Sequence, residues 1–350
     1  MKVININEIE NIKIGNAEDT EAGTGCTVVI CERGAVAGLD VRGGGPASRE
    51  TELCKPTSAQ GFINSVLLSG GSAFGLDAAG GVMEYLEKKN VGFDVGVTKV
   101  PLVCQSCIFD LTVGDMSVRP DKAMAIRACE AAEENNPYMG NYGAGTGASV
   151  GKLGGMETAM KGGLGSYAVQ IGDLKVGAIV AVNACGDIYD YDTNEIIAGM
   201  LNADKSAFVN MEQVLYMMTE QAMAGKNMGQ NTTGHDTTMQ NTTMQNTTMQ
   251  NTTIGVIITN AAFDKSQMNK IASMAHNGYA RTINPVHTSM DGDSIYALSV
   301  GDVKADMDVV GTLAANVMGH AVCDAVMKAQ DAYGLMSVTT MRGKMSVSKK

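Results

Sequence analysis

Residues 231–259 read NTTGHDTTMQNTTMQNTTMQNTTIGVIIT. Three copies of TTMQN stand in tandem and run, with no turn residue between, into the apolar and β-branched stretch that follows Thr252. Such a polar tract buries too little apolar surface to order itself, whereas the run after Thr252 has the composition of a buried strand. The tract, taken as 226–251, is expected to be a disordered loop inside one fold, and loops of that length within compact domains are typically functional or cleaved. Thr252 stands at the junction. A Thr hydroxyl alone is a poor nucleophile, but a chain cut before Thr252 would carry on the same residue an α-amine of pKa about 8, a base within bonding reach. The junction therefore allows two readings: a cleavage site that creates an N-terminal nucleophile, or a polar linker before an ordinary strand.

Composition bounds the rest. With 350 residues and 45% apolar content the chain can build a sizeable core. A net charge of −11, with no clustered Lys and Arg, excludes a phosphate-backbone ligand, so no nucleic-acid partner is expected. The first twenty residues lack the apolar core of a signal peptide, and no apolar run is read as approaching the ~20 residues that span a bilayer. No membrane contact and a cytoplasmic location are the expectations. The eight Cys are scattered through core-like segments, which suits reduced thiols, and the lone CxxC of Cys104 and Cys107 lacks the second pair or the His that a zinc site requires.

Outward from the junction, hydrophobic periodicity predicts strands at Thr27–Cys31 and Ala35–Val41 forming a hairpin about the break ERG. A strand beyond Gly61 leads through Gly-Gly-Ser into a helix capped by Ser72, with Phe74, Ala78, Val82 and Leu86 on its apolar side. Helices follow over about 121–134 and 205–224, and a hairpin with a Gly-Asp turn carries Lys161 before it and Asn183 at its end. After the tract come a strand at 253–259, a helix from Asp264 to Arg281, a strand at 294–300 and a helix over about 306–328. Hairpins mixed with helices favour an α+β layered sandwich over a doubly wound parallel sheet.

Familiar site motifs are absent. SGGSAFG and GAGTGASVGK fail the phosphate-loop pattern because Leu153 follows Lys152, and LSGGSAFG is not a GxSxG elbow. The glycines read instead as tight turns whose spare amides could line an oxyanion pocket. His235, His276, His287 and His320 show no metal spacing, so no metal and no cofactor are assigned. Asp291-Gly292-Asp293, directly before an apolar strand, is either a solvated loop tip or a carboxylate pair turned into a cleft, where each charge would perturb the other.

Seven segments in order, GFINSVLLSGGSAFGLDAAGGVMEYLE (61–87), VPLVCQSCIFDL (100–111), YGAGTGASVGKLGG (142–155), MKGGLGSYAV (160–169), VGAIVAVNACGD (176–187), TTIGVIITNAAF (252–263) and ARTINPVHTSMDGDSIYAL (280–298), resemble the L-aminopeptidase/D-esterase family of self-processing hydrolases. Its relatives include β-peptidyl aminopeptidases and the endohydrolases of 6-aminohexanoate (nylon) oligomers. The resemblance covers about Thr24 to Leu335 and implies a four-layer αββα sandwich of the N-terminal-nucleophile kind, shared with ornithine acetyltransferase. It puts the nucleophile on Thr252 and the cut between Asn251 and Thr252, giving an α fragment 1–251 and a β fragment 252–350 that stay associated as one domain. It puts the carboxylate pair on Asp291 and Asp293, the Lys of the KGG motif on Lys161 and the oxyanion Asn on Asn183, with the loop glycines Gly143, Gly145 and Gly147 alongside. Lys161 would supply positive charge or hold the aspartates. The implied assembly is a homotetramer.

The activity so implied is hydrolysis of small peptides, amides or esters from a free amino end through an acyl-enzyme. The open alternatives are an endo-type amidase on 6-aminohexanoate-like oligomers, an acetyltransferase of the ornithine type, and an unprocessed, non-enzymatic binding protein. Asn-Thr pairs at 231, 241 and 246 copy the junction, but only Thr252 is followed by a strand that could hold it rigidly.

Overall fold

The computed structural model describes residues 1–228 and 251–348; of the tract taken as 226–251, residues 226–228 end a helix and Asn251 bridges Asp291, against the disorder expected of them, while 229–250, with His235 and the Asn-Thr pairs at 231, 241 and 246, lie outside the described residues. The principal strands are β1 (Lys2–Ile4), β2 (Lys13–Asp19), β3 (Thr24–Val41), β4 (Ala47–Arg49), β5 (Ile63–Ser69), β6 (Val103–Cys107), β7 (Gly163–Ile171), β8 (Leu174–Asn183), β9 (Thr252–Ala261) and β10 (Ser294–Val303). Hydrogen bonds connect them in the order β1-β7-β8-β9-β10-β3-β5-β6-β4, with β2 alongside β3.

One strand makes this path into two layers. The second half of β3, Val36–Val41, pairs with β10, while its first half pairs with β2 and β5. The hairpin expected around ERG is therefore corrected to a single 18-residue strand. The ladder to β5 shifts register between Ile30 and Ala35, and Gly34 at φ +85° supplies the left-handed residue that lets the strand change sheets.

Side-chain alternation then separates three apolar layers. Ile254, Val256 and Ile258 of β9 pack between the sheets with Val66, Leu68, Ile179, Tyr296 and Leu298. Ile257 faces the opposite way, as do Val176, Val180 and Ile295, against α4 (Lys265–Thr282) and α5 (Met307–Lys328). On the far side Val28, Ile30 and Leu67 meet α1 (Ala79–Lys88) and α2 (Lys122–Ala131). The molecule is the αββα sandwich that the sequence predicts.

The helices begin where their caps dictate. Asp264 and Gln267 cap α4 reciprocally, Asp121 accepts from the amide of Met124, and Asp306 from those of Asp308 and Val309. Ser72 caps nothing: it stands at φ +53° and opens a 3₁₀ turn that ends at Ala78. Phe74 is consequently exposed, under the guanidinium of Arg119, rather than on a helix's buried side. By length and hydropathy α5 could cross a bilayer, against the expectation that no run was long enough, but most of it is buried against the sheet and α4. The helix expected from 205 starts later, as α3 (Met211–Met228), and of its described side chains only Met211 is buried.

The backbone of α5 lies almost on β7. A Cβ added at Gly165 would sit 2.1 Å from the carbonyl oxygen of Ala321 and 2.4 Å from the amide of Ala325. Gly165→Ala must push that helix off the sheet, and urea unfolding should show a loss of roughly 1–3 kcal/mol, the usual cost of overpacking.

Candidate active site

Strand β9 is hydrogen-bonded on both edges, antiparallel to β8 and parallel to β10. Its register places Thr252 opposite Asn183, the last residue of β8. Thr252 has the parity of Ile254 and Val256, so it belongs to the inter-sheet side, at the open end of the strand, and is only 5% exposed. The parallel pairing continues one step beyond the strand through a bridge between Asn251 and Asp291. Asn251 and Thr252 are thus built into the end of a central strand.

The Asp-Gly-Asp segment is buried rather than a solvated tip: both carboxylates are 2% exposed. What covers it is Arg42-Gly43-Gly44-Gly45. The amides of Arg42 and Gly43 donate to the Asp293 carbonyl at 3.0 and 3.2 Å, and that of Gly45 donates to the Asp291 carbonyl at 2.8 Å. A Cβ at Gly43 would lie 2.2 Å from the Asp291 carbonyl oxygen, so only glycine fits there. The three consecutive glycines were the available signal, and sequence reading passed over them.

The Asn251 carbonyl oxygen accepts two hydrogen bonds, from the Thr252 hydroxyl at 2.5 Å and from the Gly292 amide at 2.8 Å. Asp293 receives the Thr253 amide on Oδ1 at 2.7 Å, and the amide and ring Nδ1 of His287 on Oδ2 at 3.1 and 2.8 Å. Asp291 receives the Thr288 amide at 2.6 Å. Burial and the neighbouring Asp293 push the Asp291 carboxyl up, to about 6.

Asn183 is fully engaged. Its Oδ1 accepts from the Ser149 amide at 3.0 Å and from Lys152 Nζ at 2.9 Å, its carbonyl accepts from the same ammonium at 2.9 Å, and its Nδ2 donates to the Phe109 carbonyl at 2.9 Å. Lys152, set aside in the sequence as a failed phosphate-loop lysine, is the cation of this cluster. Burial lowers its pKa to about 8, against the pull of Cys185, Asp291, Asp110 and Asp293. Lys161 plays a different part from that expected of it. Its Nζ donates to the carbonyls of Gly145, Ala148 and Gly162 at 2.9–3.1 Å and makes no hydrogen bond or ion pair with either aspartate. Burial takes it down to about 7.

The glycine loop offers fewer spare donors than expected. The Gly143 amide donates to Glu18 at 2.8 Å and the Gly145 amide to the Tyr142 carbonyl at 2.9 Å. Gly147 abuts the Asp110 side chain and the Gly23 carbonyl. Among the described residues no cluster of three or more His, Cys, Asp or Glu could hold a metal ion.

The fold is that of solved N-terminal-nucleophile structures. The L-aminopeptidase D-ala-esterase/amidase of Ochrobactrum anthropi, described as a variant of the Ntn hydrolase fold, aligns over 98% of this chain and 94% of its own, with a TM-score of 0.67 at 15% identity. A β-aminopeptidase of Burkholderia sp. aligns over 98% and 93%, with a TM-score of 0.63 at 16% identity. In sequence, a protein of Mycobacterium leprae named an uncharacterized aminopeptidase is 33% identical over 94% of this chain and 92% of its own. A 6-aminohexanoate-oligomer endohydrolase of Kocuria sp. is 27% identical over 91% of this chain and 84% of its own. The profile of peptidase family S58 matches residues 5–340. The chain belongs to peptidase family S58 and is a hydrolase.

The charge of Asp291 has a thermodynamic consequence. Its carboxyl titrates higher in the fold than in the unfolded chain, so between the ordinary aspartate value and about 6 the native state holds more protons. Stability contributed by the protonated form is present at low pH and lost as pH rises through that window. Asp291→Asn, compared with its parent with both chains verified as full length, should therefore be more stable by about 1–3 kcal/mol at pH 8. The gain should vanish near pH 4 in denaturant titrations.

Proposed function

We propose that Thr252 is the nucleophile of a self-processing amide hydrolase. In the precursor the Thr252 hydroxyl attacks the carbonyl carbon of Asn251, the peptide nitrogen leaves as the Thr252 α-amine, and water hydrolyses the resulting ester. Fragments 1–251 and 252–350 remain together in the sandwich. In the mature enzyme the α-amine takes the hydroxyl proton as Thr252 attacks a substrate carbonyl and passes it to the departing amine or alcohol as the amide or ester bond breaks, and water then hydrolyses the Thr252 ester to release the acid.

The observation that carries this reading is the double hydrogen bond on the Asn251 carbonyl oxygen. A hydroxyl lies against the carbonyl it would attack, and the Gly292 amide donates to the oxygen on which negative charge would develop. Asp293, bonded to the next amide of β9, would orient the α-amine once it is freed, with Asp291 beside it. Lys152 would balance the charge of the two carboxylates and hold Asn183 at the oxyanion side. Lys161 would act through the glycine loop, whose carbonyls it gathers.

For substrate, two carboxylates beside the nucleophile favour small peptides, amides or esters presenting a free amino end. The endo-type alternative, an amidase on 6-aminohexanoate-like oligomers, is supported by relatives named as 6-aminohexanoate-oligomer endohydrolases, 27–28% identical over 91% of this chain. A homotetramer of processed chains is the assembly the family resemblance implies.

Denaturing intact mass with N-terminal sequencing tests the reading. Wild type should yield two fragments, the smaller beginning Thr-Thr-Ile-Gly, and Thr252→Ala should stay whole; a cut Thr252→Ala chain would sink the mechanism. Lys152→Met, followed as conversion of the full-length band with time, should process more slowly by on the order of 10²-fold. A wild-type rate would remove Lys152 from the machinery.

A further inference from the structure

Asp293 is held from two directions. The Thr253 amide takes Oδ1, and His287 takes Oδ2 through both its backbone amide and its ring Nδ1. The imidazole belongs to a cluster of three rings packed edge to face or tilted. His276 and Tyr279, both on α4, meet it with centroids at 4.8 and 6.1 Å, and lie 5.4 Å from each other. His276 is tied in turn through Nε2 to the Asp40 carbonyl at the end of β3, 3.0 Å away.

This arrangement is held against local cost. His287 sits at φ +60°, in the left-handed region that a non-glycine residue occupies only when its surroundings impose it. His287 Nε2, His276 Nδ1 and the Tyr279 hydroxyl are all buried without a hydrogen-bond partner, and each such atom is destabilising. A ring chosen only for packing would be better replaced by an apolar side chain. What the imidazole supplies that no hydrocarbon could is the Nδ1–H. A carboxylate is acceptor-only, so the bond to Oδ2 fixes the tautomer with its proton on Nδ1.

We propose that His287 is the positioning residue of Asp293: its Nδ1–H, aimed by the aromatic cluster it forms with α4, pins Oδ2 so that Oδ1 stays on the Thr253 amide of β9. Without that bond Oδ2 keeps only the His287 backbone amide, while the charges of Lys152 and Asp291 still act on the carboxylate. Asp40 and Arg42 lie beyond His276 and do not reach Asp293 with their side chains. The inference rests on the reading of Thr252 as the self-processing nucleophile.

The test uses the full chain and its rate of self-cleavage. His287→Gly removes the ring at a φ that suits glycine, and His287→Asn keeps a short N–H donor in a residue that tolerates the same backbone. His287→Gly should process roughly 10- to 100-fold more slowly, the loss expected from a misplaced catalytic group. His287→Asn should recover most of the rate, and free imidazole added to the glycine variant should restore part of it. A glycine variant that cuts at the wild-type rate overturns the proposal. So does an asparagine variant as slow as the glycine one with no imidazole rescue, which would make the ring a packing element. If the glycine variant fails to fold, the near-isosteric pair His287→Asn and His287→Asp decides, because only the former donates: equal rates overturn the proposal. Thr252→Ala run alongside separates the two readings, since cleavage there discards the nucleophile assignment rather than the part played by His287.

Discussion

Everything at the site hangs on the seating of β9 between β8 and β10. A strand bonded on both edges has no freedom to slip, because a one-residue shift would move Ile254, Val256 and Ile258 out of the inter-sheet core and Ile257 into it. That register fixes Thr252 opposite Asn183, and the parallel step to Asp291 fixes the carbonyl before it. The hydrophobic core thus does the positioning that chemistry at the strand's end requires. The non-local contact that the register secures is the Gly292 amide on the Asn251 carbonyl oxygen, at 2.8 Å.

Around that strand end the protein collects charge where water is scarce. Two aspartates and Lys152 are nearly inaccessible, and burial moves Asp291 upward and Lys152 downward, each toward its neutral form. These opposite shifts bring an acid and a base closer together in affinity for a proton, the condition under which protons move readily between groups at neutral pH. Lys161 is displaced in the same sense, and its Nζ gathers the carbonyls of Gly145, Ala148 and Gly162.

Much of this was legible in sequence because it is local. The caps Asp264, Asp121 and Asp306 announce their helices, and the Gly172-Asp173 turn announces its hairpin. The junction at Thr252 is visible as a change of composition. What was missed depends on distant pairing. The crossing of β3 between sheets looks like a hairpin until its two different partners are known. Gly43 to Gly45 gain meaning only from the Asp291 and Asp293 carbonyls almost 250 residues away, and Lys152 only from its contact with Asn183. The KGG motif drew attention to Lys161, whereas the lysine that touches the cluster carries no motif.

The same logic bears on which bond would be cut. Asn-Thr occurs at 231, 241, 246 and 251, so the dipeptide itself confers no choice. At 251 the pair enters a strand, its carbonyl meets the Gly292 amide, and the following amide meets Asp293. Selection would then lie in the folded partners and not in the recognised letters, which leaves the number of repeats preceding Asn251 free to vary. Lengthening a loop adds closure entropy only logarithmically, about 0.6 kcal/mol for each doubling, while the register of β9 is unaffected. A repeat tract directly upstream of a reacting bond is tolerable on those terms because the fold measures position from the core outward.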